Sequence, residues 1–197
     1  MSEQINGDQA AVSAPTIVVI GGSPRKTGRT RAVSAYAERV LRELGATVKR
    51  IDLCDAGLPL YDGNSEHWRG EALQAWKQSL DEADGFFIVT PDYHNGMSGA
   101  LKNALDWVGG DQFRNKPTSI AAVAGGGKGG INALNSLRIV LRGLYALTLA
   151  DQTVVDQYQI NDQQELANEA LGNRIRAMAE ELLHMTRLVR KPEAEAR

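Results

Sequence analysis

The segment Val18–Thr30, VVIGGSPRKTGRT, decides the fold of this chain. Its apolar start predicts a buried strand, and a turn rich in glycine, hydroxyl and arginine side chains follows before a helix begins. A helix N-terminus attracts phosphate, because its first backbone N–H groups are unpaired and the helix dipole is positive there. Hydroxyl and guanidinium groups add charge-assisted hydrogen bonds. We therefore predict a phosphate site at this turn.

The same segment also has a plain structural interpretation as an ordinary strand-to-helix turn. Pro24 would stiffen the turn, and Thr27 or Thr30 would cap the helix. A cap needs one hydroxyl and no arginine, so the phosphate interpretation is favoured. The glycine spacing matches neither GxxxxGK[ST] nor GxGxxG, which counts against P-loop nucleotide hydrolases and dinucleotide-binding Rossmann domains.

The composition predicts one globular domain, and the single cysteine is typical of a protein from a reducing compartment. The chain has 197 residues, of which 43% are hydrophobic and 23% charged, enough for one filled core. A net charge of −2 gives no general attraction to nucleic acid or to an anionic membrane, so we expect neither partner. No apolar run approaches the ~20 residues of a membrane span. We expect a cytoplasmic protein with a disordered arm (1–14), one domain (15–190) and a tail (191–197).

Strands and helices alternate five times along the chain. Strands are predicted at 16–20, 48–53, 86–89, 117–123 and 153–155, with helices at 29–44, 66–83, 99–108, 131–147 and 165–189. Most strands are apolar throughout, as in a parallel sheet covered on both faces, whereas the second alternates apolar and polar residues and belongs at an edge. The fold class predicted is α/β: a flavodoxin-like three-layer sandwich whose five-stranded parallel sheet has the order 2-1-3-4-5, with helices on both faces.

Three unusual loops meet at one rim of the predicted sheet. In such a sheet ligands bind beyond the carboxyl ends of the strands where the strand order reverses, which brings 23–30 and 91–98 together, with 124–130 beside them. The 91–98 loop suits the edge of a flat heterocycle, although Tyr93 could instead cover the core and Asn95-Gly96 form a plain turn. The Gly125–Gly127 run allows close backbone approach to a ligand, or is simply a flexible loop.

Metal sites and catalytic nucleophiles are not predicted. One cysteine and three scattered histidines cannot form a recognisable metal site. Ser23 and Ser98 lack the GxSxG elbow of hydrolases. Cys54 is interpreted as a buried structural thiol that excludes an internal disulfide, and His94 as a hydrogen-bonding or stacking group.

Three segments together resemble the NAD(P)H-dependent FMN reductase family, over roughly residues 16–156. They are GSPR at 22–25 with Thr30, LPLYD at 58–62, and PDYHNGMSGALKNALD at 91–106. Within that family the chain is most similar to the bacterial FMN-containing NADPH azoreductase and quinone or chromate reductase branch. Relatives often have Ser where this chain has Gly28 and Glu where it has Asp92.

The resemblance implies bound FMN, a homodimer or homotetramer, and a set of cofactor-binding residues. The first loop would hold the FMN phosphate, the second would line the isoalloxazine, and the glycine run would close its other edge. The residues implied are Ser23, Arg25, Thr27, Gly28, Arg29, Thr30, Pro91, Asp92, Tyr93, His94, Asn95, Gly125, Gly126 and Gly127.

The resemblance further implies an oxidoreductase in which NADPH or NADH gives a hydride to FMN. The reduced flavin would then reduce a small-molecule acceptor (free flavin, a quinone, an azo compound or a metal oxyanion) in a ping-pong sequence, without a catalytic side chain. Surplus arginine at the rim favours NADPH. The alternative is a flavodoxin-like electron carrier without nicotinamide turnover, but two arginines in the loop and a small net charge disfavour it. A regulator or scaffold on a degenerate fold of this type would not need the intact set of three loops.

Overall fold

A computed structural model describes residues 13–125, 129–161 and 163–190 of the chain. Residues 1–12 of the predicted arm, the predicted tail 191–197 and residues 126–128 of the third loop lie outside the described residues. The strands are β1 Thr16–Gly21, β2 Thr47–Asp52, β3 Gly85–Pro91, β4 Pro117–Ala124 and β5 Leu147–Asp156. The helices are α1 Arg29–Glu43, α2 Glu71–Asp81, α3 Gly99–Asp106, α4 Gly110–Phe113, α5 Ile131–Gly143 and α6 Glu169–Val189, with 3-10 turns at Ser65–Arg69 and Gln157–Gln159.

The five strands form one parallel sheet in the order β2-β1-β3-β4-β5. This confirms the predicted flavodoxin-like order, and β2 lies at an edge as its alternating sequence indicated. Every residue of β3 and β4 is buried, as expected for strands covered on both faces. The order reverses between β1 and β3, so the connections beyond their carboxyl ends diverge and leave room for a ligand.

Successive residues of β1 point into two separate cores, one on each face of the sheet. Ile17 and Val19 pack with α1 and α6, whereas Val18 and Ile20 pack with α2, α3 and α5. This is the predicted three-layer arrangement. Among the described residues, no helix combines the length and the apolar character needed to cross a bilayer.

Several predicted boundaries were wrong, and each has a local cause. The helix expected at 66–83 is interrupted at Gly70, whose backbone is extended and caps α2. The helix expected to reach 147 ends at Gly143, and Tyr145 then takes a left-handed conformation with φ 62°. The last strand is consequently ten residues long. Asn168 caps α6 through its side chain, so the helix begins at Glu169 and not at 165.

The outer strand β5 carries a bulge whose carbonyl groups are covered by arginine. The pairing with β4 shifts between Thr118 and Ile120, which leaves residues 149–151 opposite a single residue. Arg138 Nη2 donates to the carbonyl oxygens of Leu149 and Ala150 at 2.6 and 3.1 Å, and Arg174 donates to Gln152 O at 3.3 Å. These contacts satisfy backbone acceptors along an otherwise open sheet edge.

Candidate functional site

A cavity of about 200 Å³ opens beyond the carboxyl ends of β1, β3 and β4, where the strand order reverses. Its lining residues come from the three loops that the sequence indicated and from the end of β4. They are Ser23, Arg25, Gly28, Arg29, Thr30, Pro91, Asp92, Tyr93, Val123, Ala124 and Gly125.

The N-terminus of α1 forms one wall of the cavity. Its N-cap is Gly28, which has no side chain to accept a hydrogen bond from the first turn. Among the described residues, the bonding of the α1 backbone starts at Arg31 N–H, which donates to Gly28 O at 3.1 Å. The preceding N–H groups are therefore available to an anion, in the positive field of the helix dipole.

Two buried hydroxyl side chains flank this helix start. Ser23 is 7% exposed and Thr30 4% exposed. Ser23 Oγ accepts a hydrogen bond from Arg25 N–H at 3.2 Å, which folds the loop back on itself. Both hydroxyls can donate to a phosphate oxygen.

Two exposed guanidinium groups, those of Arg25 and Arg29, also line the cavity. Neither forms an ion pair with a residue in the described ranges. Arg31, two residues further along α1, is instead paired with Asp52 and Asp55. The positive charge at the cavity is therefore local. Because the chain as a whole has a net charge of −2, an anion site depends on such a local charge.

The second loop contributes a tight turn that presents Asp92 and Tyr93. Tyr93 and Gly96 exchange backbone hydrogen bonds at 3.0 and 3.1 Å, and between them His94 and Asn95 have φ values of 54° and 64°. Two successive positive φ values are typical of a type I′ turn. Asp92 Oδ1 accepts from Asn95 N–H at 2.9 Å and so fixes the turn.

The other carboxylate oxygen of Asp92 is the most informative atom of the site. Asp92 Oδ2 is buried and has no hydrogen-bond partner among the described residues. A buried acceptor without a partner costs about 1–3 kcal/mol. A ligand that supplies a ring N–H here would recover that energy.

Ser98 joins the first two loops behind the cavity. Its fully buried hydroxyl donates to Gly22 O and accepts from Leu101 N–H at 3.0 Å, and its own N–H donates to Thr90 Oγ1 at 3.1 Å. The hydroxyl therefore caps α3 and holds the end of β1 at the same time. From the sequence alone, Ser98 was considered only as a nucleophile. Its position immediately before a predicted helix was a signal for an N-cap, whose hydroxyl accepts a hydrogen bond from the N–H three residues later.

The LPLYD segment is held against α3 by Asn103 and Trp107. Asn103 Oδ1 accepts from Tyr61 N–H at 2.8 Å, and its Nδ2 donates to Pro59 O at 2.9 Å. Trp107 Nε1 donates to the same carbonyl at 2.9 Å. Two of the quoted segments are therefore in direct contact, beside the cavity-lining loops.

The structure brings most of the predicted binding residues together. Nine of them line the cavity: Ser23, Arg25, Gly28, Arg29, Thr30, Pro91, Asp92, Tyr93 and Gly125. Thr27, His94 and Asn95 are exposed and lie outside the lining, and Gly126 and Gly127 lie outside the described residues. Val123 lines the cavity without having been predicted, because an apolar strand end has the same pattern as core, and Ala124 lines it as the first residue of the predicted third loop, although it was not among the predicted binding residues.

Cys54 is half-buried at the end of β2, and not fully buried as the sequence interpretation had it. Burial raises the pKa of its thiol, and the nearby Asp55 carboxylate raises it further. The thiol is therefore protonated at neutral pH.

The family described as NADPH-dependent FMN reductase matches this chain over residues 15–159. The chain belongs to this family. An NADPH azoreductase from Bacillus sp. strain OY1-2 is 47% identical over 147 residues, which cover 74% of this chain and 79% of that protein. A 2-hydroxy-1,4-benzoquinone reductase from a Burkholderia species is 35% identical over 127 residues, covering 62% of this chain and 67% of that protein.

A solved structure shows the same fold at low identity. The flavoenzyme NAD(P)H:(acceptor) oxidoreductase from Paracoccus denitrificans superposes with a TM-score of 0.74 at 18% identity, covering 89% of this chain and 99% of the other. As a member of the FMN reductase family, the chain is an oxidoreductase whose cofactors are FMN and NAD(P)H.

The cavity fits FMN in its chemistry. The uncapped helix start, the two buried hydroxyls and the two exposed guanidinium groups suit a phosphate monoester. The second loop adds Asp92, a carboxylate that can accept a hydrogen bond from the ring N–H of a flavin, and Tyr93, which offers an aromatic face; both residues line the same cavity.

Proposed function

We propose that this FMN reductase family member binds FMN in the described cavity and reduces small quinones and azo compounds at the expense of NADPH. The observation that carries the proposal is one cavity lined both by an anion-binding helix start and by Asp92, whose Oδ2 atom has no hydrogen-bond partner among the described residues. The activities named for the two relatives above, azo and quinone reduction, suggest the acceptor class.

Each end of the cavity has a separate task. Ser23, Thr30 and the α1 backbone would hold the phosphate, with Arg25 and Arg29 neutralising its two negative charges. Asp92 would accept a hydrogen bond from the ring and fix its orientation. When bound, FMN supplies the two-electron chemistry by taking a hydride and passing the electrons on. The protein then needs to bind, orient and exclude water.

Donor and acceptor would use the site in turn, in a ping-pong sequence. The support is that the 23–30 and 91–98 loops line a single cavity, so both substrates would approach through one opening. A guanidinium group of this pair, Arg25 and Arg29, that stays partly exposed beside the FMN phosphate would attract the extra phosphate of NADPH, which favours it over NADH. We further propose a homodimer or homotetramer, which light scattering coupled to gel filtration tests.

An anaerobic titration tests the central assignment. The purified full-length chain should show flavin absorbance near ~450 nm, the region of any oxidised flavin cofactor, and NADPH alone should bleach it. Bleaching by dithionite but not by NADPH would favour the flavodoxin-like electron carrier. A colourless chain that does not bind added FMN would contradict the cofactor assignment.

Initial rates with a benzoquinone test the order of events. Double-reciprocal plots at several fixed quinone concentrations should be parallel, since the first product leaves before the second substrate enters. Intersecting lines would contradict the ping-pong sequence while leaving the flavin assignment intact. Arg25→Met and the surface control Arg39→Met, both saturated with added FMN and assayed with NADPH and NADH, test whether the loop arginine selects the donor: a loss of rate with NADPH but not with NADH would support donor selection, and an equal loss with both would contradict it.

A further inference from the structure

Arg31 is the third arginine near the phosphate loop, and its side chain has a different set of contacts. Its Nη1 donates to Asp55 Oδ2 at 2.8 Å and to the carbonyl oxygen of Lys26 at 3.4 Å. Its Nε lies 3.5 Å from Asp52 Oδ2. A single guanidinium thus connects α1, the end of β2 and the middle of the 23–30 loop.

Asp52 provides a fixed anchor for this guanidinium. Its side chain is only 8% exposed, Ser34 Oγ donates to its Oδ1 at 3.2 Å, and Arg50 Nε lies 3.3 Å from its Oδ2. The carboxylate lies over the end of β1, where a Cβ on Gly21 would fall 2.2 Å from Asp52 Oδ1. Gly21 therefore leaves the space that the Asp52 carboxylate occupies.

The loop has few other ties at its centre. Within the part of the chain that the structure describes, residues 24–27 form one hydrogen bond with a residue outside the loop, which is the bond that Arg31 donates to the Lys26 carbonyl oxygen. The first residues of the loop are held separately, through Gly22 and Ser98. The hydrogen bond from Arg31 lowers the pKa of Asp55, with a smaller contribution from Lys26, so Asp55 stays ionised at neutral pH and its ion pair with Arg31 persists.

We propose that Arg31 and Asp52 are positioning residues for the phosphate end of the FMN site. Asp52 and Asp55 orient the Arg31 guanidinium, which in turn holds the Lys26 carbonyl and with it the shape of the loop that surrounds the phosphate. Neither Arg31 nor Asp52 lines the cavity, so they act through the loop. The proposal rests on the FMN assignment above.

Riboflavin, which has the same ring system as FMN but no phosphate, separates loop positioning from general damage. We expect Arg31→Met to raise the Kd of the full-length chain for FMN about 10-fold, the loss typical of a charged hydrogen bond. Its Kd for riboflavin, measured by quenching of flavin fluorescence, should change less than ~2-fold, because the ring end keeps its contacts. Arg39→Met removes an exposed arginine from the same helix and should change neither value.

Neutralising Asp52 distinguishes positioning from a simple effect of charge. If Arg31 acted only through its positive field, then Asp52→Asn and Asp55→Asn would remove negative charge and strengthen FMN binding. Positioning predicts the opposite sign, a weakening of about 3- to 10-fold for Asp52→Asn and a smaller one for the exposed Asp55→Asn. Arg31→Lys should recover only part of the affinity, because the single nitrogen of lysine cannot stand at both the Nε position that faces Asp52 and the Nη1 position that faces Asp55 and the Lys26 carbonyl.

These measurements distinguish a failure of the positioning proposal from a failure of the FMN assignment. A wild-type chain that binds neither FMN nor riboflavin contradicts the flavin assignment itself. A wild-type chain that binds both, together with an Arg31→Met variant that loses FMN and riboflavin equally, overturns the positioning role. Tighter FMN binding by Asp52→Asn overturns it as well.

Discussion

Replacing Ser98 with alanine should destabilise the protein by more than the loss of a helix cap. The cap itself, the bond from Leu101 N–H, contributes about 1 kcal/mol. The substitution also leaves the buried carbonyl of Gly22 without its hydroxyl donor, which costs about 1–3 kcal/mol. The expected total is about 2–4 kcal/mol, and a chain of this size loses about 2–4 °C in Tm per kcal/mol. We therefore expect Tm to fall by about 4–16 °C.

Urea unfolding of the full-length chain, followed by circular dichroism, measures this loss. Asn168→Ala is a matched control, because Asn168 caps α6 through its side chain, which among the described residues accepts hydrogen bonds from Ala170 N–H and Leu171 N–H of that helix alone. Asn168→Ala should lower the free energy of unfolding by about 1 kcal/mol. An equal loss for Ser98→Ala and Asn168→Ala would show that the Gly22 contact contributes nothing and would refute the reasoning.

Three further predictions concern single positions. Gly28 has φ +154° and ψ 168°, a conformation that other residues rarely adopt, so Gly28→Ala should cost about 1–3 kcal/mol in the same unfolding assay. Gly143 ends α5, and among the described residues a methyl group on its Cα would meet no atom within 4 Å apart from its chain neighbours and its own helix backbone, so Gly143→Ala should instead raise the free energy of unfolding by about 0.5–1 kcal/mol. The raised pKa of Cys54 predicts slow alkylation by iodoacetamide at about pH 8, with the rate rising at higher pH. Asp55→Asn should accelerate this reaction and Arg31→Met should slow it; the reverse order would contradict the assigned charges.

Much of the fold could be predicted because the composition of each strand reflects its environment. Phe86–Val89 is wholly apolar and is buried on both faces, and the alternation at Val48–Leu53 correctly placed β2 at an edge. These patterns depend on burial alone, and the parallel order follows from the connections between strands.

The end of α5 could not be predicted because its residues continue a helical pattern beyond the helix. Leu144 and Leu147 fall at helical spacing, yet the left-handed Tyr145 turns the chain into β5. Gly143 was the available signal for an earlier end. The early residues of β5 lie at a sheet edge, with mixed burial, so their sequence does not have the apolar pattern of a central strand.

The sequence predicted which loops form the site, but it did not predict the hydrogen bonds that support those loops. Strand order alone brings 23–30 and 91–98 together, and the structure lines one cavity with both. The left-handed pair at His94 and Asn95, which moves the turn one residue earlier than an Asn95-Gly96 turn, depends on the Asp92 side chain. Long-range bonds such as Ser98 to Gly22 join residues 76 apart in sequence, and no local pattern specifies them.

The arginine-covered bulge of β5 bears on how copies of this chain can associate. An open sheet edge invites strand-by-strand addition of another chain, which leads to domain swapping or fibrous aggregation. Any strand approaching residues 149–152 would first have to displace Arg138 and Arg174 from the carbonyl groups that they occupy. Addition of a strand from another chain is therefore opposed at this bulge, so the outer edge of β5 is protected by arginine side chains of its own chain.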